Sequence, residues 1–420
     1  MALRDKWSSL RDASWLNGRN IRLYLWLVLA VALPQFIARI VTSHDLISRD
    51  GVPLGGDYIS FYAASKLALS GQVTAPWHQA LHHVAETAVF GRNLGYWAFF
   101  YPPAYLLVCL PLALLPYGWS MSIAMAVTSI GWLIAMRRWV MRIAPGIKAG
   151  YLPLLAFPGL WLNIACGQNG ALTAMILAAG CCLLPVSSIG AGLVLGLAVI
   201  KPQLAVAIPF VLLASGRWKA LVAAGISAAS LSLMALAVVG PDGYLAFFAN
   251  GALARAALEK GLVDSSSMQS LFGAMKVLGA PTVLAYIAQA ALGLAVLGRA
   301  CYVAWRCRPD ASAIGALMVS AGLLLSPFML DYDLMVSTVP LAWLVMRGVS
   351  RGFQPWEKIS AVFVFILPLI ARGFAGAFHL PVAWLILLGL FLVVQRRITI
   401  EAAGQEPAGD PLQTLEIKVA

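Results

Sequence analysis

Two charged residues stand where acid–base and phosphate chemistry could take place. Asp57 follows two glycines in a long polar segment and precedes an amphipathic stretch. Its carboxylate could accept a proton as a general base, or it could cap the helix that begins beside it. Lys201 interrupts the apolar run 189–215. An ammonium at that depth marks a site for an anion such as phosphate, unless its long stem carries the charge to the membrane surface.

Further polar groups interrupt the apolar sequence. The segment Gly167–Gly170 has the composition of a tight turn, and it presents the amide side chains of Gln168 and Asn169. Asp331 and Asp333, two positions apart, could hold a divalent cation or could be charges at the start of a helix. The sequence allows both interpretations.

The histidines and cysteines offer little for metal chemistry. His78 and His82 are spaced i, i+4, which can bind zinc on a helix, but no glutamate lies between them as in a metalloprotease motif. The six cysteines lie mostly inside apolar runs and show no zinc or redox spacing. We therefore predict neither a bound metal nor a cofactor.

The elements that position these residues must be membrane helices. Of the 420 residues, 61% are hydrophobic and 11% are charged, whereas a soluble domain has about 25% charged residues. No stretch of about 100 residues lacks a long apolar run, which excludes a soluble nucleotide-binding domain of ordinary size. The net charge of +12 comes mostly from short basic clusters between apolar runs. Such clusters set membrane topology, so we expect no nucleic-acid partner.

The apolar runs predict an all-α, polytopic membrane protein. They lie at residues 21–41, 101–116, 118–136, 149–165, 169–184, 187–200, 203–215, 219–239, 281–298, 311–326, 334–346, 358–371 and 380–395. The basic clusters between them are incompatible with a crossing by every run. We expect 101–116 to enter and leave on one side, because its prolines break the helical hydrogen-bonding pattern. About twelve transmembrane helices remain, with both chain ends in the cytoplasm.

This topology divides the chain into three parts. Residues 1–20 form a cytoplasmic N-terminus, 21–398 form the membrane domain, and 399–420 form a polar, disordered cytoplasmic tail. The segments predicted to lie outside are 42–100, Gly167–Gly170, Lys201–Gln203, 240–270, Ser326–Asp333 and 372–379.

The first outer loop, 42–100, is the longest of these segments. Its amphipathic stretches 58–69 and 77–90 are too polar to span a membrane. We predict that both form helices lying along the membrane interface.

Taken in order, the polar landmarks resemble those of glycosyltransferase family 87, a branch of the GT-C membrane glycosyltransferases. The landmarks are Gly56-Asp57-Tyr58 with Tyr62-Ala63-Ala64 and Gly71; Tyr101-Pro102-Pro103 with Pro111–Pro116; Gly167-Gln168-Asn169; Ala191–Ala198 with Lys201-Pro202; Met268-Gln269-Ser270-Leu271; and Ser326-Pro327. They span residues 56–333, most of the chain. The sequence departs from the family pattern at Met268, where asparagine is usual, and at Leu330–Asp333, where relatives carry histidine and aromatic residues.

The resemblance implies a GT-C fold and a hexosyltransferase. Such an enzyme takes a hexose, often mannose, from a polyprenyl-phosphate donor and transfers it to a glycolipid or glycan acceptor on the outer face of the cytoplasmic membrane. A single displacement at the anomeric carbon would invert its configuration. Asp57 matches the family's proposed catalytic base, and Lys201 matches a donor-site lysine. The other residues expected to bind substrate are Tyr62, Tyr101, Gln168, Asn169, Gln269, Ser270, Asp331 and Asp333.

Two other classes of membrane protein are the alternatives. A transporter or lipid flippase would explain the many spans and Lys201, but it predicts repeated halves and paired broken helices, and the sequence shows no clear internal repeat. A polysaccharide ligase would need an outer loop rich in arginine and histidine. The segment 240–270 offers only Arg255 and Lys260.

Overall fold

The computed structural model describes residues 11–13, 15–147 and 150–404. Within these ranges all regular secondary structure is helical, apart from three isolated β-bridges. The predicted all-α class is therefore confirmed. Residues 1–10 and 14 of the predicted N-terminal segment lie outside the described residues. The part of the predicted disordered tail that begins at residue 405 also lies outside them.

The helices follow one another with short connections. The α-helices of the described ranges are α1 (Gly18–Val41), α2 (Tyr58–Leu69), α3 (Gln79–Phe90), α4 (Pro103–Cys109), α5 (Tyr117–Ile143), α6 (Leu152–Leu155), α7 (Pro158–Cys166), α8 (Gly170–Leu183), α9 (Ser188–Gly196), α10 (Pro202–Ala205), α11 (Ala207–Ala214), α12 (Trp218–Glu259), α13 (Leu271–Val277), α14 (Thr282–Cys307), α15 (Ala311–Gly322), α16 (Thr338–Arg351), α17 (Glu357–Phe378) and α18 (Ala383–Ala402). Short 3-10 helices lie at Ala75–Trp77, Leu110–Leu114, Leu197–Ile200, Ser265–Ser267 and Asp331–Ser337.

Six of these helices are long and apolar enough to cross a membrane, namely α1, α5, α12, α14, α17 and α18. Shorter apolar helical stretches lie at Pro103–Leu114, Gly170–Leu183, Ser188–Ile200, Pro202–Ala214 and Ala311–Gly322. A full crossing takes about 20 helical residues. The predicted count of about twelve crossings therefore stays a prediction, whereas the six long helices support a polytopic membrane protein.

Proline divides two of the predicted runs. The run 101–116 forms only α4 and the 3-10 helix that follows it. The run 203–215, which was predicted to cross, forms a stretch of similar length, so the expectation that 101–116 does not cross stays a prediction. The run 149–165 is divided into α6 and α7 where Pro158 begins a new helix. Proline suits a first turn because the missing N–H would have no partner there.

One predicted outer segment is mostly helical. The run predicted at 219–239 continues as α12 to Glu259, across a kink at Gly240, whose φ of 68° is followed by Pro241. Glycine adopts a left-handed φ at little cost, and proline cannot donate to the preceding turn. The chain therefore leaves helical geometry at Gly240 and begins a second helical stretch, so most of 240–270 is helical rather than irregular.

The last helix extends past the predicted end of the membrane domain at 398. Arg397, buried on α18, donates to Glu357 at 2.6 Å and to Glu401 at 3.0 Å. Glu401 lies one turn further along, so this pair holds the final turn in helical form. The predicted tail therefore begins inside α18, which ends at Ala402.

The first of the two predicted interfacial helices is instead a core helix. α2 has the predicted bounds, but nearly all of its residues are buried. Phe61 lies at its centre, with ring centroids 5.1 Å from Tyr101 and 5.0 Å from Tyr105. Small residues such as Ala64 and Ser65 let neighbouring helices approach α2 closely, so its polar composition reflects tight packing rather than contact with water.

Candidate active site

Two backbone turns meet to place Asp57. The Asp57 N–H donates to the carbonyl oxygen of Cys166 at 3.0 Å. Gly167 follows in a left-handed conformation with φ of 63°, and a Cβ there would lie 2.0 Å from the carbonyl oxygen of Gly55. Only glycine permits this approach. Two of the predicted outer segments, the loop 42–100 and the turn Gly167–Gly170, are thus in direct contact.

The carboxylate of Asp57 lies at the end of a chain of hydrogen bonds. Gln168 donates from Nε2 to Asp57 Oδ2 at 2.6 Å, and the Tyr101 hydroxyl donates to Gln168 Oε1 at 2.9 Å. The other carboxylate oxygen of half-buried Asp57 receives no hydrogen bond from the described residues, so it is available to a substrate hydroxyl. The side chain makes no capping bond to α2, so the capping interpretation is wrong. Burial raises the pKa of Asp57, and the Gln168 hydrogen bond and the charges of Lys201 and Arg372 oppose that rise.

Lys201 is buried and paired. Its side chain is 2% exposed, and its ammonium donates to Asn169 Oδ1 at 2.8 Å and to Asp333 Oδ1 at 2.5 Å. The nitrogen also lies 5.0 Å from the ring centre of Tyr332 and 5.7 Å from that of Tyr101. The lysine therefore does not snorkel to the surface. Its charge neutralises Asp333, a partner that the sequence prediction did not include.

The second aspartate of the pair faces another cation. Asp331 is buried, and its Oδ2 lies 3.9 Å from Nη1 of Arg372, whose Nη2 donates to Asp264 at 3.0 Å. Burial raises the pKa of Asp331 to about 6, against the opposing charge of Arg372. Each of Asp331 and Asp333 thus faces a basic side chain, so the two do not converge on one divalent cation. Asp333 also accepts from the Leu330 N–H at the start of its 3-10 helix, as the helix-start interpretation expects.

Arg372 is the residue of this cluster that sequence reasoning missed. It lies on α17, 15 positions after Glu357, within the predicted outer segment 372–379. The sequence signal that could have identified Arg372 was its positive charge in a segment predicted to lie outside the membrane, where basic residues are scarce. Nothing in the local pattern connected it with Asp331.

Three predicted substrate-binding residues have internal partners instead. The Tyr62 hydroxyl donates to the carbonyl of Leu115 at 2.9 Å. Gln269 donates to the carbonyl of Ser267, and the Ser270 hydroxyl donates to the carbonyl of Pro327, each at 2.7 Å. These bonds hold α2 and the start of α13 in place. In the described part of the chain, no hydrogen bond links the three residues to Asp57 or Lys201.

An apolar groove opens beside this cluster. It has a volume of about 380 Å³ and lies between α1, α5 and α7, with Gly55 in its wall. Its lining is mostly apolar, and Arg39 from the end of α1 supplies the charged group. Since Gly55 contacts Gly167, the groove adjoins the turn that holds Gln168.

The comparison with protein families decides the identity of the chain. The family model for glycosyltransferase family 87 matches residues 99–327, which is more than half of the 420 residues. The chain belongs to glycosyltransferase family 87. No curated protein and no solved structure gives a significant match. Family membership makes the chain a membrane glycosyltransferase and disfavours the transporter and flippase alternative.

The family 87 match covers only part of the site. Tyr101, Gln168 and Lys201 lie inside the matched range. Asp57 precedes that range, and the aspartates from Asp331 follow it. Hydrogen bonds and ion pairs nevertheless join the matched and unmatched residues into one cluster.

In the glycosyltransferase, His82 on α3, one of the two histidines considered for zinc, forms a buried pair with Glu86. His82 Nε2 lies 3.1 Å from the carbonyl oxygen of Ser60, and its Nδ1 lies 3.6 Å from Glu86. Burial lowers the pKa of His82 to about 4 and raises that of Glu86 to about 8. Both groups are therefore neutral near pH 7, and the contact of His82 Nε2 with Ser60 joins α3 to α2.

We expect Glu86→Gln to stabilise the glycosyltransferase at alkaline pH. The folded pKa of about 8 is above the ordinary value of 4.5, so the contribution of the neutral carboxyl is complete below about pH 4.5 and is lost as the pH rises through about 8. Gln cannot ionise, but it still accepts from the Trp97 N–H, which lies 3.2 Å from Glu86 Oε1. The melting temperature of the detergent-solubilised variant should exceed that of the wild type at about pH 9 and match it at about pH 5. Equal differences at both pH values would contradict this origin, and the exposed Glu259→Gln is the matched control.

Proposed function

We propose that this family 87 enzyme transfers a hexose, with mannose as the first candidate, from a polyprenyl phosphate to a glycolipid or glycan acceptor. The observation that carries the proposal is the Asp57 carboxylate, held through one oxygen by Gln168 and open through the other. The apolar groove beside Gly55 supports a lipid-linked donor, since an isoprenoid chain needs an apolar path next to the reacting sugar.

The chemistry proposed is a single displacement. The acceptor hydroxyl donates to the open oxygen of Asp57, which takes the proton as the hydroxyl oxygen attacks the anomeric carbon. The bond between that carbon and the phosphate oxygen breaks, and its electron pair leaves with the phosphate. Burial raises the pKa of Asp57 and so makes it a stronger base than an exposed aspartate. The hydrogen bonds from Tyr101 through Gln168 fix its orientation.

Lys201 takes a positioning role in this proposal. It anchors Asn169, the neighbour of Gln168, and its positive charge favours the ionised form of Asp57. It also compensates the buried charge of Asp333. No metal or cofactor enters the proposed reaction, because a phosphate is a good leaving group once its charge is stabilised.

We further propose that the site faces outward from the cytoplasmic membrane, where nucleotide sugars are scarce. The aspartates of the site lie in the 3-10 helix that precedes α16, whereas Arg347 and Arg351 lie about 14 and about 20 Å along α16 from its start. Basic clusters favour the inner side. A cysteine introduced at position 142, in another basic cluster, should resist an impermeant thiol reagent in intact cells. Rapid labelling there would reverse the orientation.

Lipid analysis of a strain lacking the gene tests the function in the cell. We expect one glycolipid or lipid-linked glycan to lose a single hexose by mass, and its shorter precursor to accumulate. Complementation by the wild type should restore it, whereas Asp57→Asn should not. Unchanged lipid and glycan profiles would contradict the proposed reaction.

A further inference from the structure

Two cations act on Asp57, and they differ in their access to a ligand. Lys201 is 2% exposed and already binds Asn169 and Asp333. Arg372 is 59% exposed. A phosphate would have to displace a buried carboxylate to reach Lys201, at a large desolvation cost. It can reach the Arg372 guanidinium from the open side.

Most of the N–H donors of Arg372 make no hydrogen bond within the described residues. Its guanidinium makes one hydrogen bond within the described residues, to Asp264 at 3.0 Å, and Asp331 at 3.9 Å is beyond hydrogen-bonding distance. Arginine has five N–H donors in a planar fork that matches phosphate oxygens. The exposed ion pair with Asp264 is weak and can be exchanged for the singly charged phosphodiester of the donor.

The position of Arg372 fits a phosphate that links sugar and lipid. The positive charge of Arg372 interacts electrostatically with both Asp57 and Cys166. The charge of Arg39, which lines the apolar groove, interacts with Cys166 as well. The Asp57 N–H binds the carbonyl oxygen of Cys166, and Ala165 lines the groove together with Arg39, so a phosphate bound by Arg372 near Cys166 would have both the base and the groove as neighbours. Its isoprenoid chain would leave through the groove that Arg39 lines.

We propose that Arg372 binds the phosphate of the lipid donor, which is the role that the sequence assigned to Lys201. This assignment rests on the proposed function. As the bond to the anomeric carbon breaks, negative charge grows on the departing phosphate oxygen, and the guanidinium stabilises it. Lys201 keeps Asp333 and Asn169 in place and does not touch the donor.

The test compares inhibition of hexose transfer by polyprenyl phosphate and by the uncharged polyprenol, using the purified full chain. The wild type should bind the phosphate at least about tenfold more tightly than the alcohol, because one charge-assisted hydrogen bond is worth at least that factor. Arg372→Gln should lose this discrimination and raise the donor KM by a similar factor. Arg372→Lys should retain part of it.

Two controls separate phosphate binding from a structural role. Arg351→Gln removes an arginine that is 52% exposed and 3.2 Å from Glu401, at the far end of α16, and it should leave the discrimination unchanged. Asp264→Asn weakens the same ion pair without removing the cation, and it should also preserve the discrimination. Equal loss in Asp264→Asn and Arg372→Gln would mean that the ion pair only holds the fold.

Failure of this inference differs from failure of the proposed function. An active wild type whose Arg372→Gln variant discriminates normally would overturn the assignment alone. A wild type that transfers no hexose from polyprenyl-phosphate donors would overturn the proposed function and this inference together.

Discussion

Asp57→Asn is expected to fold normally and to transfer hexose at least about a hundredfold more slowly, the usual contribution of a general base. Asparagine retains an oxygen that accepts from Gln168, so the chain of hydrogen bonds from Tyr101 survives. It cannot take the proton of the acceptor hydroxyl. Initial rates with purified protein at saturating donor measure the loss.

The matched control for this substitution is Asp242→Asn, an exposed carboxylate on α12. It should retain the wild-type rate. Melting curves of both variants should match the wild type, which separates lost chemistry from lost folding. Near-normal turnover by Asp57→Asn would eliminate Asp57 as the base.

Lys201→Met is expected to lower both stability and catalytic efficiency. It leaves the buried Asp333 carboxylate without its cation, and breaking a buried ion pair in this way costs about 3–5 kcal/mol. It also frees Asn169 and removes a charge that lowers the pKa of Asp57. We expect catalytic efficiency to fall at least about tenfold, since a charge-assisted hydrogen bond is lost. The acid limb of the pH–rate profile should move to higher pH.

The double variant Lys201→Met/Asp333→Asn separates these effects. Removing the carboxylate should recover most of the stability, because no uncompensated charge remains. The acid limb should stay displaced, because Asp57 still lacks a nearby cation. Wild-type kinetics and an unmoved pH profile in the single variant would remove Lys201 from the site.

The sequence predicted several of the residues that gather at the site, but not all of them and not how they pair. Gln168, Asn169 and Lys201 were identifiable because polar groups inside apolar runs are costly and must find partners. Lys201 and Asp333 are 132 positions apart, and no local pattern joins them. The same holds for Arg372, since its neighbours in sequence are apolar or small.

Where a local and a tertiary partner could satisfy the same group, the sequence could not decide. Asp57 stands at a helix start, a position in which a capping bond is common, yet its carboxylate binds Gln168 instead. α2 was predicted at the right residues but in the wrong environment. Its Ser and Ala residues are compatible both with a solvent-exposed helix face and with close helix packing. The aromatic contacts around Phe61 show that α2 is packed in the core.

In the proposed reaction, a hexose passes from a polyprenyl phosphate to an acceptor, and Asp57 takes the proton. Its most direct test supplies purified protein with a synthetic polyprenyl-phosphate hexose and, as acceptor, the lipid extract of the strain that lacks the gene. We expect a product heavier by one hexose, released polyprenyl phosphate in equal amount, and neither of these with Asp57→Asn. Transfer from a nucleotide sugar in the absence of the lipid donor, or undiminished transfer by Asp57→Asn, would contradict it.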